Sequence, residues 1–525
     1  MTKKVLVAEP FSPAGLKLLQ ETCEVTAYDK LSPEELLRCI GAYDALIVRS
    51  ATKVTAEVLA AGKNLQVVGR AGAGVDNIDL DAATRRGILV VNAPDSNTVA
   101  VAEHTIGLML CLARHLCRAD ATMHQGLWLK KELAGTELRD KVLGLVGLGR
   151  VGSAVAARAR AMEMRLLAYD PFVSPERAAQ LQVALVPLEE LLTRADYVSL
   201  HAPSNERTRG MIGARELALM KPGAYLINCA RGDLVVEEAL IEALTTGRLA
   251  GAALDVFPHE PQVNPALRAC PNLVLTPHLG ASTIEAQDEA AIQVAQQVLD
   301  VFQGRPPRYP VNVMPLAGED AALIRPYLDL AQRLGRFYAQ FAQNNITRVE
   351  LSYAGALAHH DTSLITSAAL AGLLAGVSET PVNLVNARVI ARDRGLAVSE
   401  VRTSEAQDFA ELVTLRVQTT TGERLLAGAI LRGQPHIVRI DAYWFDFEAR
   451  GLLLVSEHLE QPGVIGQMGT VLGQEGISIS FVQVGRQQRG GYGLMVMGLD
   501  DPLFPQALER VRALPSVRAV YTVQL

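Results

Sequence analysis

The stretch that most narrows the possible folds is "KVLGLVGLGRVGSAVAARARAM", residues 141 to 162. An apolar run from Val142 to Val146 stops at Gly147, Gly149 and Gly152, and a helical pattern opens there. The next apolar run, "RLLAYD", ends in Asp170, 23 residues after Gly147. Strand, glycine turn, helix, strand is a βαβ unit, and such a unit commits the chain to a parallel sheet covered by helices.

The same alternation occurs twice. The first series is "KVLVAE", "ALIVRS", "LQVVGRAGAG" and "ILVVNAP", with helical stretches such as "SPEELLRCIGA" between the strands. The second runs from "KVLGLVGLG" through "YVSLHAP", "AYLINCARG" and "GAALDVF" to "NLVLTPH". Two doubly wound units are predicted, connected by long helices near 98–118 and 283–303. Three prolines in "GRPPRYPVN" break the pattern, which places a boundary near residue 314. Residues 315–450 mix helical and strand-like stretches and hold no catalytic motif. The last 75 residues read strand, helix, strand, strand, helix, strand, the order of a ferredoxin-like fold. The expected domains are 1–97 with 280–314, then 98–279, 315–450 and 451–525. The fold class is α/β: two doubly wound sheets, an α+β domain and a small ferredoxin-like domain.

Composition excludes several classes of function. Hydrophobic residues are 49% and charged residues 20% of 525, so large cores can form. A formal charge of −6, small for this length, gives no reason to expect nucleic acid or an acidic membrane as partner. None of the six cysteines forms a C-x-x-C pair, which points to free thiols in a reducing, cytoplasmic compartment. The first apolar run stops at Glu9, too early for a signal peptide, and "TIGLMLCLARHL" is too short to span a bilayer. No metal site is expected.

The glycine turn has a chemical reading. Glycines at 147, 149 and 152 allow a tight turn and close approach of a pyrophosphate, and the helix N-terminus supplies unpaired N–H groups for it. Asp170 would accept hydrogen bonds from ribose hydroxyls and repel a 2′-phosphate, so the expected cofactor is NAD. Polar residues then collect at later strand ends: Arg231, Asp255, Glu260 and His278. In a doubly wound sheet these positions border the ligand crevice. Arg231 can anchor a carboxylate or the adjacent oxygen, and His278 can take a hydroxyl proton. Glu260 can steady the charged imidazole, and Asp255 can hold the nicotinamide carboxamide. Taken alone, His278 reads more readily as a cap at the start of the next helix; the other three residues turn the reading to chemistry.

The set "GLGRVG", "NCARG", "DVFPHEP" and "TPHLGAST" resembles the D-isomer-specific 2-hydroxyacid dehydrogenase family over residues 1 to about 312. The resemblance implies Arg231, Glu260 and His278 as catalytic groups. It implies Arg150, Val151, His201, Thr208, Cys229 and Gly280 as further residues along the dinucleotide. Arg49 and Arg70 stand at strand ends beside the Gly72 and Gly74 loop, whose N–H groups can bind a carboxylate. Two extra arginines suggest a second anion such as a phosphate; ordinary surface charge is the alternative for each. These stretches, with Ser50, resemble the branch of the family that oxidises 3-phospho-D-glycerate to 3-phosphohydroxypyruvate, the entry to serine synthesis. In "GLWLKKELAGTEL", Lys130 stands where an arginine is common and is expected to reach a neighbouring subunit's site.

"EQPGVIGQMGTVLGQEGISI" is similar to the opening of an ACT domain, an amino-acid-binding regulatory module. The middle and terminal domains together match the long form of that branch, whose members form tetramers or dimers. His458 matches a serine-contacting histidine of some members. Glu460 stands where Asp or Asn is usual, and Ser478 where Asn is usual. L-serine is the implied effector; a pure oligomerisation module is the alternative reading of residues 451–525. The family's Gly-Gly and Val-Asp-Glu after the catalytic arginine become Gly232-Asp233 and Val235-Val236-Glu237 here. Two other readings stay open: a glyoxylate or hydroxypyruvate reductase, whose relatives stop near residue 320, and a non-catalytic NAD-sensing protein.

Overall fold

Four β-sheets follow one another in a computed structural model that describes residues 2–314, 320–342, 345–376, 381–405, 408–420 and 422–525. The first contains β1 (Lys3–Val7), β2 (Cys23–Ala27), β3 (Ala45–Val48), β4 (Val67–Arg70) and β5 (Leu89–Asn92), in the order β2-β1-β3-β4-β5. The second contains β6 (Val142–Val146), β7 (Arg165–Tyr169), β8 (Ala184–Leu185), β9 (Tyr197–Leu200), β10 (Ala224–Asn228), β11 (Leu249–Leu254) and β12 (Leu273–Leu275). Its order is β12-β11-β10-β9-β6-β7-β8. Every pairing in both sheets is parallel. Helices cover both faces, which is why β3 and β9 are buried at every residue and read as unbroken apolar runs.

The chain crosses between these sheets twice. It leaves the first through the helix Thr98–Arg114, which packs on the helix Arg150–Ala161 and on β10 to β12. It returns through the helix Ile284–Phe302, which packs on β4 and β5. The first connector is shorter than the single run the sequence suggests. It ends at His115, whose φ of 53° is left-handed, and a second helix, Leu116–His124, continues after a 65° bend. The break has a tertiary cause: the carbonyl of Ala113 accepts the N–H of Thr136 at 2.8 Å, so it is taken by a distant segment. Gly135 makes that approach possible, because a Cβ there would lie 2.3 Å from the same oxygen. Among the described residues no single helix is long and apolar enough to cross a membrane.

The third sheet contains β13 (Ile346–Gly355), β14 (Ala397–Thr403), β15 (Glu411–Thr419), β16 (Gly422–Leu431), β17 (Gln434–Ile440) and β18 (Tyr443–Glu448), ordered β14-β13-β15-β16-β17-β18. The fourth contains β19 (Leu452–Leu459), β20 (Ile479–Arg486), β21 (Tyr492–Leu499) and β22 (Val517–Gln524), ordered β20-β21-β19-β22 and antiparallel throughout. Helices Val464–Gln474 and Pro505–Arg512 complete the expected ferredoxin-like order. The two sheets share one hydrophobic core. Leu334, Phe337 and Phe341 from the helix Asp320–Phe341 cluster with Leu453, Val455, Val496 and Val523 of the terminal sheet. Arg424 adds a polar tie, with 2.6 Å contacts to Asp441 on its own side and to Glu457 on β19.

Candidate active site

The glycine turn fits a dinucleotide on three observations. Gly147 has a φ of 98°, and a Cβ there would lie 2.7 Å from the carbonyl oxygen of His201. A Cβ on Gly152 would lie 2.2 Å from the Gly147 carbonyl oxygen, so the helix can sit against the turn only with glycine. Gly149 opens onto free space and gives the helix Arg150–Ala161 no side-chain cap, which leaves its first N–H groups for an anion. Asp170 is at the end of β7, where its Oδ2 accepts the Leu148 N–H at 2.8 Å and its Oδ1 that of Phe172 at 2.9 Å. Each oxygen keeps a lone pair for a hydroxyl. Arg150 turns away from the turn: its Nε pairs with Asp95 Oδ1, on the first unit, at 2.5 Å. Val151 is half-buried in the first turn of the helix.

Glu260 and His278 meet. His278 Nδ1 is 2.7 Å from Glu260 Oε2, and Glu260 Oε1 accepts the Phe257 N–H at 3.0 Å. That contact raises the imidazole pKa above its ordinary value, more than burial and the Arg231 charge lower it. Burial pushes the Glu260 carboxyl up, but the hydrogen bonds from His278 and Phe257 N–H outweigh it and hold it low. With Nδ1 engaged, Nε2 is the ring nitrogen left for proton transfer.

Asp255 has a role that the sequence does not reveal. It is fully buried at the end of β11. Its Oδ1 accepts the Thr276 hydroxyl at 2.6 Å and the Leu279 N–H at 2.7 Å, and its Oδ2 accepts the Gly280 N–H at 2.8 Å. His104, from the first connecting helix, places Nε2 3.2 Å from Oδ1 and 3.1 Å from the Thr276 hydroxyl. Burial raises this carboxyl's pKa, and the donors together bring it below the ordinary value. Asp255 therefore holds both flanks of His278.

Arg231 and Arg70 converge on the loop after β4, while Arg49, at the end of β3, donates Nη1 to the Pro10 carbonyl at 3.3 Å. Arg231 Nε lies 3.3 Å from Asp76 Oδ2, and a Cβ on Gly74 would be 2.6 Å from its guanidinium. Arg70 lies against Gly72 in the same way and donates to Asn77 Oδ1 at 3.1 Å. Burial, then the charge of Arg231 and that of Arg49, lower the Arg70 pKa. Two scaffold residues escape sequence reasoning. Glu9 is nearly buried and accepts the N–H groups of Arg49, Ala51 and Thr52 at 2.9, 3.1 and 2.8 Å. Asn77 donates to the carbonyls of Arg49 and Thr52 at 2.8 and 2.7 Å. Ser50 is exposed between them.

The remaining expected residues are less concentrated. His201 sits against the glycine turn with Nε2 2.9 Å from Ser199 Oγ, and burial holds its pKa down at about 4. Thr208 donates to the Pro203 carbonyl at 2.6 Å. Cys229 is buried, and burial pushes its thiol up to about 12, which disfavours the thiolate. The substituted Asp233 accepts from Ser204 Oγ at 2.5 Å and Arg209 Nε at 3.3 Å, so it ties the turn after Arg231 to the loop carrying Thr208. Lys130 is exposed on a segment with Met123, Leu127 and Trp128, the last 77% exposed. In the terminal sheet His458 is buried against Gly493. Glu460 pairs with Arg486 at 2.6 Å and accepts the Gly490 N–H at 2.8 Å. Ser478 is exposed and hydrogen-bonds to neither His458 nor Glu460.

Comparison with known proteins follows this geometry. Residues 106–280 match the NAD-binding domain of D-isomer-specific 2-hydroxyacid dehydrogenases. Residues 323–441 match the D-3-phosphoglycerate dehydrogenase intervening domain, and 452–516 the ACT domain. D-3-phosphoglycerate dehydrogenase of Synechocystis sp. is 42% identical, with 99% of this chain and 95% of that protein covered. The chain belongs to the D-3-phosphoglycerate dehydrogenase branch of the D-isomer-specific 2-hydroxyacid dehydrogenase family. The enzyme of that name from Methanocaldococcus jannaschii is 41% identical over 99% of this chain and all of that protein. Among solved structures, the TT0316 protein of Thermus thermophilus is 38% identical with a TM-score of 0.55, covering 59% of this chain and 99% of that one. A glyoxylate reductase from Paecilomyes thermophila has the same TM-score at 31% identity, with 59% of this chain and 98% of that one covered. The chain is thus an NAD-binding oxidoreductase with an ACT domain.

Proposed function

We propose that this chain oxidises 3-phospho-D-glycerate to 3-phosphohydroxypyruvate with NAD, the first step of the phosphorylated route to L-serine. The observation that carries the reading is the packing of Arg70 and Arg231 against the Gly72–Gly74 loop, with the Arg49 charge near enough to act on Arg70 and that of Arg231 near enough to act on His278. One guanidinium suffices for the carboxylate of a 2-hydroxy acid; the other two supply a site for a phosphate. Arg231 holds the carboxylate and C2 oxygen. Arg49 and Arg70 hold the phosphate with the N–H groups of the 72–76 loop. His278 Nε2 takes the C2 hydroxyl proton, and Glu260 stabilises the imidazolium that results. NAD, when bound, supplies the hydride acceptor. The glycine turn, Val151, Asp170, His201, Thr208 and Gly280 line its place; Asp255 faces the nicotinamide end and fixes the turn that carries His278.

NADH consumption with 3-phosphohydroxypyruvate, run beside hydroxypyruvate, tests this. A strong preference for the phosphorylated acid is expected. Equal or reversed preference would reduce Arg49 and Arg70 to surface charge and favour a general hydroxyacid reductase. Tight NADH binding without turnover would favour the sensing protein.

Three further points belong to the same reading. The enzyme is a cytoplasmic homo-oligomer, dimer or tetramer, in which the exposed Trp128 segment meets a second copy and Lys130 reaches its site; light scattering on the purified protein tests this. The terminal sheet takes L-serine near His458, Glu460 and Ser478. A titration with no serine affinity at millimolar concentration would remove that effector. The four domains divide at residues 97, 279, 314 and 450, with 280–314 returning to the first.

A further inference from the structure

We propose that His104 is a positioning residue for His278, acting through the buried carboxylate of Asp255. This rests on the reading of His278 as the proton carrier.

His278 sits in a demanding place. Its φ of 56° lies in the left-handed region, which an L side chain enters only where surrounding contacts hold it. Those contacts bracket it in sequence. Thr276 on one side and Leu279 and Gly280 on the other all donate to Asp255. Asp255 is therefore the post to which both ends of the turn are tied. The post itself has one lateral tie among the described residues. His104 Nε2 stands 3.2 Å from Asp255 Oδ1 and 3.1 Å from Thr276 Oγ1. The Thr276 hydroxyl donates its proton to Asp255, so His104 donates Nε2–H to this pair. Every other donor to the carboxylate belongs to the turn that it holds. His104 alone comes from another element, the helix Thr98–Arg114 that connects the two parallel sheets. The helix that links substrate and dinucleotide units is thereby fastened to the turn that carries the base.

The test uses full-length enzyme in two variants. His104→Gln keeps an N–H donor of similar reach, and His104→Leu removes it. In H104L, kcat is expected to fall about tenfold, the scale of one hydrogen bond to a charged group, with KM changed less than threefold. H104Q should keep kcat within threefold. Amide hydrogen exchange at Leu279 and Gly280 should be faster in H104L and unchanged in H104Q. Undiminished kcat in H104L, or an equal loss in both variants, would overturn the proposal. If the wild type turns over no hydroxy acid, the substrate reading fails by itself, and the exchange rates at Leu279 and Gly280 still decide the role of His104. If H104L does not fold, H104Q decides: loss of its kcat or altered exchange at those two amides overturns the inference.

Discussion

His278 and Glu260 form a coupled acid–base pair whose pH behaviour can be stated in sign. The carboxylate holds the imidazole pKa above 6.5, and in the proposed reaction His278 must be neutral to accept the hydroxyl proton. Oxidation should therefore rise with pH through a value above 6.5. Glu260→Gln removes the largest upward influence and leaves burial and Arg231 pulling down against the more weakly acting Asp255. The inflection in kcat/KM should move to lower pH, with the plateau reduced by about tenfold or more. A pH–rate profile of both proteins checks this; an unmoved inflection would detach Glu260 from the titrating group. This pair was legible in the sequence because both residues follow apolar runs at strand ends, where a doubly wound sheet binds its ligands. Glu9, Asn77 and His104 were not. Glu9 reaches a loop about 40 residues away, and His104 a threonine 172 residues away. Each reads alone as an ordinary polar residue until the fold brings its partner.

At the scale of elements, the turn after β6 depends on the lack of side chains at two points. Gly147→Ala places a Cβ 2.7 Å from the His201 carbonyl oxygen at a φ of 98°. The cost is about 1–3 kcal/mol. NADH affinity should fall at least about tenfold as the turn shifts, and the melting temperature by several degrees. A fluorescence titration and a thermal melt measure both. The spacing of these glycines and the end of β7 gave this element away before any coordinates. The bend at His115 did not show, because the apolar pattern runs straight through it. What stops the helix is the claim of Thr136 on the Ala113 carbonyl, a tertiary hydrogen bond with no local signature.

For the whole molecule, the last two sheets are a single packing unit. The sequence separates them by motif at residue 450, yet the core from Phe337 to Val523 is continuous. Removing residues 451–525 would uncover the apolar face of the helix Asp320–Phe341. The expected result is a fragment 1–450 that self-associates and loses its 320–450 segment to trypsin while the first 314 residues still bind NADH. Gel filtration and limited proteolysis decide; a monomeric, protease-resistant fragment would mean that the two units are independent.

The double crossing between the first two sheets has a mechanical consequence. Two bodies joined by a single tether can swing, twist and slide. Joined at two separate points, they behave as a door on two pins, with one axis through both. Swinging about that axis remains cheap, while twist and slide pull against one connector or the other. Any opening between the bodies is therefore confined to one coordinate. Arg231 against Asp76, and Arg150 against Asp95, span the two lips of the cleft. Opening about that axis would part both pairs together, and closure would bring the same atoms back into register.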